Sequence, residues 1–288
     1  MEYVYLLIGV IAMASQTVLG SAYNKKNAEK RGTASLYNLC LIVCAHIVYG
    51  VLACFSFTFY LPTLWYALGF GVAFAVTQFG MIMALKTGPL SVTTLILQMS
   101  LAGPVIYGFI FWGEKASATD IAGLILCAIS LCLCLIKKEE NSEKKIGPLW
   151  ILYVALMFTG NAGCSIIQKS QQIAFDGEYK NMFMLFALGV SGLICLIWFC
   201  AGDKRDFAVI VRKTSVFPAV AGILNAVMNL IVMYLALRLP SGLVYPVISV
   251  GGLILSILAS VVFFKEKIRW WQWGGMGLGA VATILLSI

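Results

Sequence analysis

The chain has 288 residues, of which 61% belong to the apolar set A, V, I, L, M, F, W, Y and C and only 11% are charged. A soluble domain carries about 45–50% apolar residues and ~25% charged ones, so this chain cannot cover a water-facing surface, and its apolar richness equally excludes disorder. The net charge of +8 is divided among many short loops, so no nucleic-acid partner is expected, and the lipid bilayer is the partner that remains.

A helix needs about 20 mostly apolar residues to cross ~30 Å of hydrocarbon. Ten such runs are predicted, at 3–22, 33–56, 64–85, 89–112, 119–136, 148–168, 182–201, 216–237, 241–264 and 270–287. They are too long and too evenly apolar for barrel strands, so the expected fold class is an all-α polytopic membrane protein. The first run lacks a basic region ahead of it and a small-residue cleavage site, and reads as a retained span. Seven tryptophans lie near run ends, where amphipathic rings favour the interface. The longest polar loops are Lys137–Lys145, the segment around Asp176–Lys180, and Gly202–Lys213. None is long enough for a catalytic domain.

Lys and Arg concentrate in the loops after runs 1, 3, 5, 7 and 9, whereas the opposite side holds only Lys115, Lys169, Lys180 and Arg238. The positive-inside rule therefore places both termini outside the cytoplasm. The nine cysteines fall inside apolar runs, where a free thiol acts as a small hydrophobe. Cys132 and Cys134 lack a nearby His or acid, so no metal and no cofactor is expected.

The sequence repeats itself. Shifted by 152 positions, runs 3–5 align with runs 8–10 without a gap: Met81 on Met233, Ala84-Leu85-Lys86 on Ala236-Leu237-Arg238, Glu114-Lys115 on Glu266-Lys267, and Gly123 on Gly275. Five runs per half is an odd number, so the two copies are expected to lie inverted in the membrane. Inverted repeats are a plan of secondary transporters, with substrate near the midplane between the copies.

Ala84-Leu85-Lys86 leading into a run that ends in Glu114-Lys115, repeated as Ala236-Leu237-Arg238 and Phe264-Lys265-Glu266-Lys267, resembles the EamA-type transporters of the drug/metabolite transporter superfamily. The frames Glu114-x5-Asp120-x2-Gly123 and Glu266-x5-Gln272-x2-Gly275 carry the same likeness. The resemblance implies two five-helix repeats, residues 1–140 and 146–288, around a central cavity, with the last helix of each half peripheral. It implies a cell-membrane location, with export the favoured direction. One departure is clear. Small multidrug relatives carry a membrane-embedded Glu in the first helix, where this chain has Ser15-Gln16, so their carboxylate coupling scheme does not transfer.

All twelve acidic residues lie at run ends or in loops. That favours a neutral or zwitterionic solute, or an anion held by dipoles and peripheral cations. The candidate substrate-binding residues are the mid-run polar groups Gln16, Gln78, Gln98, Asn161, Asn225, Asn229 and Ser249, with Tyr245. Ser256 is a further polar residue of run 9. Each amide has two open readings, glue between helices and solute contact. Asn225 and Asn229, four apart, share one face with Gly222, which is expected to leave room for a ligand. Lys86 and Arg238 are the candidate cavity-mouth residues, either snorkelling to headgroups or meeting an anionic group. Glu114 and Glu266 are expected to pair with Lys or Arg or to cap helices 5 and 10. His46 reads as a hydrogen-bonded structural histidine in preference to a pH switch. Gly103-Pro104 and Tyr245-Pro246 are candidate hinges, since Pro removes a helix donor. Gly275-x3-Gly279 is a close-packing motif, within its half or in a homodimer through helix 10.

The expected function is alternating-access transport of a small polar organic metabolite such as an amino acid, nucleoside or base, or amine. A flippase for a lipid-linked polar group is the alternative. No nucleophile–base or HExxH constellation exists, so an enzyme is not expected.

Overall fold

The computed structural model describes residues 1–27, 30, 32–88, 90–135, 147–202, 205–264 and 269–286. Within them lie twelve helices: α1 (Glu2–Lys26), α2 (Thr33–Phe55), α3 (Leu61–Thr87), α4 (Leu90–Met99), α5 (Ala102–Phe111), α6 (Ala118–Leu135), α7 (Pro148–Ala174), α8 (Lys180–Ala201), α9 (Phe207–Thr214), α10 (Val216–Ala236), α11 (Ser241–Phe264) and α12 (Trp270–Leu285). Among the described residues eight stretches are long and apolar enough to cross a membrane: α1, α2, α3, Val92–Phe111 across α4 and α5, α7, α8, α10 and α11. The fold is therefore all-α and multi-pass. Its outer faces fit hydrocarbon, with Leu7, Ile47, Trp65, Ile125, Ile197 and Val262 all more than half exposed. The fifth and tenth runs are present as α6 and α12, of 18 and 16 residues.

Three boundaries differ from the hydropathy reading. α7 continues six residues beyond position 168, to Ala174. The helix-favouring run Gln168-Lys169-Ser170-Gln171-Gln172 extends it, and Gln168, Lys169, Gln171 and Gln172 are buried against neighbours instead of entering a loop. The loop at 202–213 contains α9, whose Ile210 packs against Tyr23 and Leu36. The fourth run breaks at Ser100-Leu101 into α4 and α5. Pro104 has no N–H to continue the ladder there, and Gly103 N closes a tight turn onto Ser100 O at 3.0 Å instead. The second expected hinge is not a break: Pro246 lies within a continuous α11.

Small residues set the closest crossings. A Cβ on Gly80 of α3 would stand 2.7 Å from Met157 N of α7, and one on Gly160 of α7 would stand 2.8 Å from Ala73 O of α3. α6 and α12 cross likewise: Gly123 lies against Leu286, and Gly275 against Leu133 and Cys134. Ser130 Oγ donates to Gly275 O at 2.7 Å, and Gly279 abuts Ser130, Val250 and Ile254. The Gly275-x3-Gly279 face is thus occupied inside the molecule, by α6 and α11. α1 packs along α10 and α11, while α2 packs along α8 and α10. Two large apolar clusters result. One draws on α1, α6, α10, α11 and α12 around Leu235 and Val250. The other draws on α2, α3, α8 and α10 around Phe183 and Ala221.

Asn181 at the start of α8 donates to Ser56 Oγ, at 2.6 Å, just past the end of α2. The two helices therefore run antiparallel side by side. All nine cysteines are free, and only Cys54 and Cys200 are exposed. Trp150, by contrast with the exposed Trp65 and Trp270, is buried and donates to Thr93 Oγ1 of α4 at 3.1 Å.

Candidate functional site

The polar residues of α1, α7 and α10 meet in one chain of amides. Asn229 Nδ2 donates to Asn225 Oδ1 at 3.0 Å and to Asn225 O at 2.9 Å. Asn225 Nδ2 donates to Gln16 Oε1 of α1 at 3.2 Å. Gln168 Nε2 of α7 donates to Asn229 Oδ1 at 3.1 Å. The four-residue spacing on α10 creates this order, because positions i and i+4 stand one above the other. Gln16 Nε2 reaches only the thioether of Met228, at 3.7 Å, a weak acceptor. Asn229 and Gln168 are buried, whereas Gln16 and Asn225 are half-buried. The α1 end of the chain thus keeps hydrogen-bonding capacity to spare.

A second polar line runs along α7. Asn161 Nδ2 donates to Ser100 Oγ at 2.7 Å, at the break between α4 and α5. Ser165 Oγ donates back to Asn161 O at 3.4 Å, and Tyr245 of α11 donates its hydroxyl to Ser165 O at 3.1 Å. Gln78 and Gln98 are half-buried, and their side chains make no hydrogen bond among the described residues. Ser249 is 2% exposed and its Oγ has no hydrogen-bond partner among the described residues, whereas Ser256 Oγ donates to Leu253 O within its own helix. The structure therefore joins Gln16, Asn225 and Asn229 directly, and Asn161 with Tyr245 through Ser165. It leaves Gln78, Gln98 and Ser249 outside these bonds.

The end of the bundle at Ser241 is held by a buried ion pair. Lys169 Nζ donates to Glu114 Oε1 at 2.5 Å, and the side chains are 4% and 13% exposed. Glu114 also accepts the Ser241 backbone N–H, at 3.1 and 3.0 Å, and the Ser241 hydroxyl. A carboxylate at the first N–H groups of α11 meets the positive end of that helix. Lys169 in addition lies 5.1 Å from the centre of the Trp112 ring. The expected pairing of Glu114 with a base is thus present, but the helix it caps is α11, in the other half of the sequence, and not helix 5. Glu266 lies outside the described residues.

Several expectations change. Gly222 does not open room for a ligand. A Cβ there would stand 2.9 Å from Cys44 Cβ, so the missing side chain lets α2 approach α10. Among the described residues His46 Nδ1 is buried without a hydrogen-bond partner, and the ring packs beside Gly189 of α8. Lys86 is exposed. Arg238 is exposed too, but fixed: Nη1 donates to Tyr234 O at 3.0 Å, and the guanidinium sits 3.7 Å over the Tyr234 ring. Gln168, Lys169, Ser165 and Ser100 were not among the candidates. The Gln168/Gln172 repeat four residues apart was the available signal, hidden by ending the helix at the first charge. Among the described residues no group of three His, Cys, Asp or Glu side chains could hold a metal ion.

No family model and no curated relative matches the chain. Solved structures do match: 29 chains are similar. One, described simply as a protein, superposes with a TM-score of 0.75 over 98% of this chain and 96% of its own, at 15% identity. At that identity the likeness is one of fold.

Proposed function

We propose that the chain is a secondary transporter for a small polar organic metabolite such as an amino acid, nucleoside, base or amine, working by alternating access. The observation that carries this reading is the amide chain Gln16–Asn225–Asn229–Gln168, which links α1 to α7 and α10 deep in an apolar bundle. A buried amide lacking a partner costs about 1–3 kcal/mol, so half-buried amides with free capacity at mid-helix suit a solute that completes them. Gln78 and Gln98, half-buried and unbonded, suit the same role.

On this reading the ten runs form two inverted repeats, residues 1–140 and 146–288, of EamA type. Cross-half packing supports it. Exchanging the halves turns the contact of α3 with α7 into that of α10 with α1, and the contact of α3 with α8 into that of α10 with α2. Gly123 on Leu286 and Gly275 on Cys134 are one contact seen twice, because both pairs of positions differ by 152. α6 and α12 are then the fifth and tenth crossings. At 1.5 Å per residue they measure about 27 and 24 Å, which local thinning of the bilayer accommodates. The protein lies in the plasma membrane with non-cytoplasmic termini, exports its solute, and uses Lys86 and Arg238 at its two mouths. A homodimer through α12 uses the outward face of Trp273, Val281 and Ile284.

The test is counterflow in proteoliposomes with pools of amino acids, nucleosides and amines. Carrier-dependent exchange of one pool, lost in Asn229→Ala, is expected. No exchange of any pool, with folded protein in the membrane, overturns the reading.

A further inference from the structure

Beyond the amide chain, a cleft of about 510 Å³ opens between the end of α7, the start of α8 and the end of α10. Its place is set by helical spacing. Gln172 follows Gln168 by four residues on α7, and Met233 follows Asn229 by four on α10, and both line the cleft. The Gln168–Asn229 hydrogen bond lies about one helical turn below these two residues.

Its walls carry charges of both signs. Arg238 and Lys180 supply two cations, and Asp176 supplies an anion. Among the described residues none of the three is in a salt bridge. Glu2, at the start of α1, pairs with the N-terminal ammonium at 3.3 Å instead of with Arg238. Arg238 is nevertheless prepositioned by Tyr234, whose backbone carbonyl takes one of its five N–H donors and whose ring lies beneath the guanidinium carbon. Asp176 is held as well. It sits at φ 50°, a region few L-residues adopt, and the next residue, Gly177 at φ 79°, bonds its N–H to Gln172 O at 2.9 Å. Between the charged groups, Met233 and Leu237 give an apolar patch.

We propose that this cleft is a binding site at the non-cytoplasmic mouth for solutes of the α-amino-acid class, the carboxylate on Arg238 and Lys180, the ammonium on Asp176, and an apolar side chain on Met233 and Leu237. The proposal rests on the transporter reading and narrows its substrate class. Exposed ion pairs are weak, about 0–1 kcal/mol each, so the site captures loosely and raises local concentration by electrostatic focusing. Passage between the amide chain and the cleft then requires the Gln168–Asn229 bond to open. The same pattern of anion and ammonium occurs in the phosphatidylethanolamine headgroup, which the test separates.

The experiment places a reporter thiol, Leu237→Cys, in a Cys54→Ser/Cys200→Ser background, reconstituted in phosphatidylcholine vesicles. Labelling by an impermeant maleimide is timed with L-leucine, 4-methylpentanoate or 3-methylbutylamine at millimolar concentration. Leucine is expected to slow labelling about threefold, the extent of roughly two-thirds occupancy in a simple binding isotherm; the acid should act less and the amine not at all. High salt and Arg238→Gln should abolish the protection, and Arg238→Lys should restore part of it. Asn229→Ala should keep the protection and lose leucine exchange. Absence of protection, or protection unchanged in Arg238→Gln, overturns the binding site, while solute exchange by the same vesicles would leave the transporter reading standing. Arg238-dependent protection with no exchange of any solute upholds the site and overturns transport. Protection that appears when phosphatidylethanolamine is added, without leucine, assigns the cleft to a lipid headgroup and overturns the amino-acid proposal.

Discussion

The fourth and ninth apolar runs hold equivalent places in the two halves of the sequence, yet one is broken and the other is not. In the fourth, Pro104 falls at the middle, the ladder opens, and Ser100 turns its hydroxyl to Asn161. In the ninth, Pro246 falls in the second turn of α11, close to an end where few ladder bonds depend on it, and that end is pinned by Glu114. A proline is therefore a hinge only where its lost donor is far from a helix end and a side chain receives the freed turn. The fourth run is thus the broken element, and α11 is the continuous helix packed against its second part.

The strongest way to break this contrast is to unpin α11. Glu114→Gln leaves Lys169 buried without its counter-charge, and loss of one partner of such a pair costs about 3–5 kcal/mol. Thermal unfolding in detergent should show a large drop, and Lys169→Met added to it should recover most of the loss. An unfolding temperature equal to wild type would mean that α11 is held by packing alone. Next in size is Asn229→Ala, which strands Gln168 and Asn225 at about 1–3 kcal/mol and should abolish solute exchange. Ser100→Ala should cost about 1 kcal/mol by orphaning the Asn161 amide; a neutral result would remove the side-chain support from the hinge. The smallest expected effect sharpens the comparison most. Pro104→Ala should raise stability by less than about 1 kcal/mol while slowing exchange, because a helical donor returns where the run must bend. Pro246→Ala should leave exchange at the wild-type rate.

The helical, membrane-crossing character was legible from composition, because few charges and long apolar runs admit no other solution. Mid-helix amides were legible for the same reason: Gln16, Asn225 and Asn229 stand out against Leu, Val and Ile, and their spacing foretold a shared face. The far end of α7 was not. Hydropathy treats Lys169 as the close of a span, yet its cost is met by Glu114, 55 positions earlier, and no local window contains both. Gly222 misled in the opposite direction. An absent side chain reads equally as space for a ligand or as space for a neighbouring backbone, and only the approach of Leu41 and Cys44 decides between them.

The antiparallel docking of α8 on α2, fixed by Asn181 and Ser56, gives the molecule a built-in compass. Its two accessible thiols, Cys54 near the last turn of α2 and Cys200 near the last turn of α8, sit at opposite poles. In sealed vesicles of one orientation a charged, impermeant thiol reagent should tag one pole and spare the other until detergent is added. The native chain, without a single substitution, can thus report which way it is inserted.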